Sequence, residues 1–327
     1  MNEIAIRLGL SPSTVSRALK RPELVREETR AAILTAVKLA GYPEPPKASR
    51  SRPLLNTIGL MVPDLENPFF TLLAKVAATE ARRYDCSLVI ADTNEEPLSE
   101  TEVIGMALRH VDGLLISSSR LDDASIRAAV ADAPLILINR ALPGVPSILI
   151  DNRRGMNQAL EHLLALGHRK IAYVEGPNNS WSNRQRLETF RQMTGEDGAE
   201  GIVIGPYAPR FEGGVQAADV AIARRVSAVI AYNDIMAFGI ISRLNSRGIQ
   251  VPRDMSVVGF DDIPAASIWS PALTTIAAPI EAIAKIAIGD LMRAIRQQPV
   301  CADAPRQVAS DMVIRASTGI YAADRMR

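Results

Sequence analysis

Residues 9–26 read GLSPSTVSRALKRPELVR. Ser13, Ser16, Arg17 and Lys20 stand three, four and seven apart, so a helix here lines hydroxyls and positive charges along one face. Val15, Ala18 and Leu19 fall on the opposite face, where they can pack against a core. Ser11 is suited to N-cap this helix, since its side-chain oxygen can accept from the free N–H groups of the first turn, and Pro12 suits the first helical position. Pro22 stops it by disfavouring helical geometry at Arg21.

Upstream, NEIAIRL (2–8) carries Ile4, Ala5 and Leu8 at helical spacing, and Gly9 stands where a tight turn needs positive φ. Two short helices around a glycine turn make a helix-turn-helix outline. A third helix is predicted from about Arg26 to Ala40, with Ile33, Leu34 and Val37 inward and Gly41 as its C-cap. Residues 1–53 hold ten Lys/Arg against five Asp/Glu, although the whole chain carries only +1. The N-terminal end is therefore built for an anion.

Residues 43–53, PEPPKASRSRP, read as a linker, with four prolines and three positive charges. Beyond it the pattern changes to short apolar runs with room for a helix between them. These are TIGLMV (57–62), SLVIA (87–91), GLLIS (113–117), PLILI (134–138), KIAYV (170–174), GIVI (201–204), SAVIA (227–231) and SVVGF (256–260). Continuous apolar strands of this kind indicate parallel sheets covered on both faces. Residues 57–160 and 161–276 are read as two doubly wound α/β lobes, with a ligand cleft where the carboxyl ends of their strands face each other.

At 327 residues the chain is expected to hold about two domains, and 47% hydrophobic content is enough to fill their cores. No apolar run reaches the roughly 18 residues of a membrane span. Polar Asn2, Glu3 and Arg7 stand where a signal peptide would be apolar, which points to a cytoplasmic protein. Cys86 and Cys301 lie outside any metal-binding spacing and are read as core thiols. His110, His162 and His168 have no ligand partners in the sequence and are read as structural, the last two as cations near a helix C-terminus. No phosphate-binding glycine loop, nucleophile elbow or pair of catalytic carboxylates appears, so no metal, cofactor or enzymatic activity is expected.

The run LGLSPSTVSRALKRPELVREETRAAILTAVKLAGY resembles the headpiece of LacI/GalR bacterial transcription regulators. NTIGLMVPDLENPFF, VDGLLIS, LEHLLALGHRKIAYVEGP, AYNDIMAFG, RGIQVPRDMSVVGFDDI and PALTTI resemble that family's core, in the same order. The resemblance implies an N-terminal three-helix helix-turn-helix headpiece (1–42), a hinge (43–55) and a two-lobed, doubly wound, periplasmic-binding-protein-like core (56–327). It implies a homodimeric, sequence-specific DNA-binding regulator, a repressor, whose operator affinity is set by a small-molecule effector, usually a sugar. Pro12, Ser13 and Arg17 match positions that read base edges in relatives. Ser11, Thr14, Ser16 and Lys20 match positions that hold phosphates or bases near the helix start. In the hinge, Lys47, Arg50 and Arg52 supply phosphate attraction, and the prolines leave little room for a minor-groove helix.

The same carry-over places Phe69, Phe70, Ser180, Ser182, Arg184, Asn233, Asp261 and Trp269 at the effector. An arginine fork and a carboxylate suit vicinal hydroxyls, and an aromatic ring suits the apolar face of a sugar. Each has a plainer reading: Phe69 and Phe70 as core, Asn233-Asp234 and Asp261-Asp262 as helix caps, and Arg184 as a surface arginine. Ala278-Pro279 stand where relatives have a glutamine. The tail STGIYAADRMR lacks leucine heptads, which argues against a coiled-coil tetramer. Two other classes compete: a sugar-binding receptor without a DNA role, and a sugar-active enzyme.

Overall fold

In the computed structural model the described residues are 54–130, 133–196 and 198–321, together with 5, 8–11, 14–15, 18, 25, 29, 32–33 and 35–36. The chain forms two compact units, Met1–Leu54 and Leu55–Arg327.

In the first unit, Ala5, Val15, Ala18, Ile33 and Ala36 form a buried cluster, with Leu8, Leu10 and Val25 packed against it. Gly9 has φ 65°, as the turn requires. Ser11 Oγ accepts from Thr14 N at 3.0 Å, the bond expected of an N-cap. Among the DNA-contact candidates, Pro12, Ser13, Ser16, Arg17, Lys20, Lys47, Arg50 and Arg52 lie outside the described residues.

The second unit contains two six-stranded sheets. The first holds β1 (Thr57–Val62), β2 (Ser87–Asp92), β3 (Gly113–Ser117), β4 (Leu135–Ile138), β5 (Ser147–Ile150) and β11 (Arg306–Val308), in the order β11-β5-β4-β3-β1-β2. The second holds β6 (Lys170–Val174), β7 (Glu200–Ile204), β8 (Ala228–Ala231), β9 (Ser256–Asp261), β10 (Thr274–Ala277) and β12 (Asp311–Val313), in the order β12-β10-β9-β8-β6-β7. Among the strand pairings of these two sheets, β10–β12 is antiparallel and the others are parallel. Strand order reverses beside β1 in one sheet and β6 in the other, which opens a crevice at each set of carboxyl ends.

The central runs GLLIS, LILI and AVIA are buried at every residue, because helices cover both faces. The run SLVIA departs from that expectation: β2 is an edge strand, with Val89 47% and Ile90 42% exposed. Cys86 is buried, but Cys301 is exposed and is not a core thiol.

The lobes are not divided at residue 160. Helix α4 (Asn152–Ala165) already packs on α5 (Trp181–Glu196), β10 and β12 of the second lobe. Before it in the chain, the first lobe carries α1 (Pro68–Arg82), α2 (Pro97–Ala107) and α3 (Asp123–Val130). The second lobe adds α6 (Phe211–Ala223), α7 (Asp234–Ser246) and the short α8 (Ala265–Ile268). Helix α9 (Ile280–Ile295) returns to the first lobe, against α1, β3 and β4. The chain then closes each sheet with one last strand, β11 and β12. The chain thus crosses between the lobes after β5, after β10 and between β11 and β12.

Among the described residues no helix is long and apolar enough to cross a membrane, and no group of three His, Cys, Asp or Glu side chains is arranged to hold a metal ion. His168 is not a cation at a helix end. It is 2% exposed, with Nδ1 2.9 Å from Ser227 Oγ and Nε2 2.9 Å from Ser256 Oγ, and burial pushes its pKa down to about 4.

Candidate effector cleft

The carboxyl ends of the two sheets meet around a cavity of about 30 Å³, room for a water or two. Asn67, Phe69, Phe70, Glu95, Ser118, Arg120 and Asn139 line it from the first lobe, and Ser182, Arg186, Pro209, Tyr232, Asn233 and Asp261 from the second.

The start of α1 delivers the aromatic pair. Asn67 caps it, Oδ1 accepting from Phe69 N at 3.0 Å, and Pro68 occupies the first turn. Phe69 and Phe70 meet edge to face at 5.0 Å and are 3% and 6% exposed. They belong to the apolar core and also line the cleft.

Asn233 is likewise a cap and a wall residue. Its Oδ1 accepts from Met236 N at 2.9 Å at the start of α7, and its Nδ2 donates to Pro209 O at 3.0 Å. Asp234 behind it is fully buried, accepting from Thr275 Oγ1 at 2.5 Å and Ile263 N at 2.9 Å. Burial and the nearby Asp261 raise its pKa well above the carboxylate range. Asp261 does not cap a helix, since α8 starts at Ala265 after Pro264. It ends β9 with φ 112°, and burial pushes its carboxyl up to about 7 against the opposing pull of Arg186 and Asn67.

Of the two arginines in SNRQR, Arg186 lines the cleft, whereas Arg184 lies outside the cavity. Ser182 and Arg186 are four apart on one face of α5, and Arg184 is two from each, on the other side. Arg186 is 4% exposed, donating Nε to Asn152 Oδ1 at 2.8 Å and Nη1 to Tyr232 O at 2.5 Å, with its guanidinium 3.9 Å from the Phe260 ring centre. Arg184 is exposed, lies 5.4 Å over the Trp181 ring, and lines a separate outer pocket of about 620 Å³. Ser182 lines the cavity. Ser180 instead caps α5, accepting from Asn183 N at 3.2 Å, and pairs with the Tyr232 hydroxyl at 3.0 Å. Trp269 stacks on Phe238 at 4.5 Å, away from the cavity wall.

Helical periodicity could have separated Arg186 from Arg184. Nothing comparable points to Glu95, Ser118, Arg120 or Asn139, because backbone geometry turns several of them inward. Among the described residues, ten other than glycine have positive φ, and six lie at strand ends around the cleft: Asn94, Glu95, Ser118, Asn139, Asp261 and Asp262. A left-handed residue costs roughly 1–2 kcal/mol. Such strain concentrates at sites where it aims side chains at a ligand.

The lobes are closed on each other. Arg210 of the second lobe donates Nη2 to Asn94 Oδ1 at 3.0 Å and lies 3.5 Å from the buried Asp64 carboxylate of the first. Asn179 Nδ2 donates to Arg120 O at 3.4 Å. A ligand larger than a few waters enters this cleft only when the lobes part.

Residues 1–44 match the family model for bacterial regulatory proteins of the lacI family, and residues 160–318 match a periplasmic binding protein-like domain. The transcriptional regulator GalS of Salmonella typhimurium is 33% identical over 296 residues, 88% of this chain and 87% of that protein. The transcriptional repressor CytR of Escherichia coli strain K12 is 31% identical over 330 residues, 97% and 96% of the two chains. A LacI family regulator from Enterococcus faecium, solved with bound ribose, matches with a TM-score of 0.72 and 28% identity over 81% of this chain and 100% of that one. A match that includes the regulatory head favours a DNA-binding role over a receptor without one. The chain belongs to the lacI family of bacterial regulatory proteins and is a DNA-binding transcription regulator.

Proposed function

We propose that this protein is a cytoplasmic, homodimeric repressor whose hold on a pseudo-palindromic operator is set by a sugar or sugar derivative bound between the lobes. It acts by binding its effector, without turning it over. Residues 1–42 form the reading head, 43–55 the hinge and 56–327 the sensing core. The observation that carries the effector reading is the cleft wall itself: an aromatic pair, an arginine and a carboxyl brought together from two sheets. These groups stack on a sugar ring and exchange hydrogen bonds with its hydroxyls. Phe69, Phe70, Ser182, Arg186, Asn233 and Asp261 are the residues we assign to that contact, with Ser180 acting through Tyr232.

In the head, Ser11, Pro12, Ser13, Thr14, Ser16, Arg17 and Lys20 are assigned to base edges and phosphates at the major groove, and Lys47, Arg50 and Arg52 attract phosphates. Parting or closing of the lobes alters how two cores pack, and hence the spacing of the heads they carry. Half-site spacing must match the DNA repeat, so a small displacement weakens binding. The test is fluorescence anisotropy on a set of selected duplexes across a salt series, with and without a sugar panel. Steep salt dependence and a shift on adding one sugar support the reading. Equal binding to every duplex, unmoved by any sugar, would refute it.

A further inference from the structure

Arg120 is a buried cation with incomplete hydrogen bonding. It follows β3 in the run SSSR and is 5% exposed. Glu95 occupies one edge of its guanidinium, Oε2 accepting from Nε at 2.6 Å and Oε1 from Nη2 at 2.8 Å. Nη1 has no hydrogen-bond partner. The Tyr232 hydroxyl stands beside Arg120 as a weak polar neighbour that favours the charged guanidinium, and it also pairs with Ser180 Oγ at 3.0 Å. A guanidinium has a second two-pronged edge, made of Nη1 and the remaining N–H of Nη2, and its shape fits a carboxylate or phosphate. A buried donor without an acceptor carries an unreturned desolvation cost, which an arriving ligand oxygen removes.

The placement of Arg120 gives that edge an occupant. Arg120 lines both the inner cavity and the outer pocket of about 620 Å³, so it forms the wall between them. The outer pocket adds two more arginines: Arg140, paired with Asp123 at 2.6 Å, and Arg184, which has no carboxylate partner among the described residues. Asp122 also lines it, with its carboxylate taken up by Ser125 N at 2.7 Å. On the inner side, Glu95 is committed to Arg120, and Arg186 spends its hydrogen bonds on the neutral Asn152 and Tyr232 oxygens. Asp261, with its carboxyl at about 7, offsets these cations only in part near neutral pH.

We propose that the effector is an acidic sugar derivative, whose carboxylate or phosphate docks on the open Nη1/Nη2 edge of Arg120 while its ring lies against Phe69 and Phe70. Glu95 occupies the other edge of the guanidinium and offsets part of its charge at the ligand. The proposal rests on the cleft being a sugar site.

Titration calorimetry on the full-length protein tests it, with each neutral sugar set beside its acids: D-glucose with D-gluconate and D-glucose 6-phosphate, D-galactose with D-galacturonate, and D-ribose with D-ribose 5-phosphate. Acetate and inorganic phosphate alone serve as further probes. At least one acid should bind about tenfold or more tighter than its neutral parent, and the carboxylate and phosphate arms show which group the site takes. Arg120→Lys should collapse that ratio, because a point charge replaces the fork, and Glu95→Gln should enlarge it by adding net positive charge. Circular dichroism checks that both variants fold, and the opposite signs separate recognition from general damage. A neutral parent that binds as tightly as its acids, or a ratio unmoved by Arg120→Lys, overturns the acidic-ligand proposal and leaves the sugar reading intact. Binding by neither series overturns both. Inorganic phosphate binding as tightly as the sugar acids overturns the ring contact.

Discussion

Replacing Arg186 by methionine, with Arg184→Met as its control, separates the two arginines of the run SNRQR. Arg186→Met strips the donors from two buried acceptors, Asn152 Oδ1 and Tyr232 O. Each acceptor left dry costs roughly 1–3 kcal/mol. The stack on Phe260, at 3.9 Å from the ring centre, adds about 1–2 kcal/mol, since the pair is desolvated. Methionine returns part of this by filling the space and by removing a buried charge, so the net loss expected is about 3 kcal/mol. The Asp261 carboxyl also loses the cation that holds it down, and its pKa climbs further, which favours the neutral acid at pH near 7.5.

Arg184 is exposed, with a single stack on Trp181, and its replacement should cost less than about 0.5 kcal/mol. Urea unfolding of the full-length variants, read as a midpoint shift at constant slope, gives both numbers. Effector affinity should follow, with a loss of about tenfold or more for Arg186→Met and little change for Arg184→Met. A destabilised, effector-blind Arg184→Met beside a normal Arg186→Met would refute the assignment and with it the helical-face argument.

Two further outcomes follow from buried groups. His168 has its folded-state pKa pushed down to about 4, so its stabilising contribution is complete above the ordinary value of about 6.5 and is lost as pH falls toward 4. Wild type should lose about 2–3 kcal/mol more than His168→Gln between about pH 7.5 and 4.5 in urea melts, and parallel curves would rule this out. Gly239 of α7 lets the Phe211 carbonyl approach, as Gly214 of α6 does for Met236, so a methyl at either meets backbone oxygen. Gly239→Ala should cost about 1–3 kcal/mol by urea denaturation, and an unchanged midpoint would show that the helices can separate freely.

Much of the local architecture was written in short range. Ser11 before Pro12, Asn67 before Pro68 and Asn233 before Asp234 each mark a helix start, because capping involves only a few neighbouring residues. The eight apolar runs announced their strands, and the central ones did so because a strand buried on both faces has no polar side to show. Four strands were not among those runs: β5, β10 and the last two, β11 and β12. RQV and DMV are three residues each with exposed positions, and their pairing partners lie more than 30 residues away.

By itself, the sequence determined most of the strands, the α/β alternation, the regulatory head and the presence of a two-lobed core. The tertiary structure alone decided which lobe owns α4 and α9, that Glu95 faces Arg120, and that Ser118, Asn139 and Asp261 turn inward through left-handed backbone. Caps and apolar periodicity are properties of contiguous chain. The direction of a side chain at a strand end depends on the packing of both lobes around it, which no window of neighbouring residues contains.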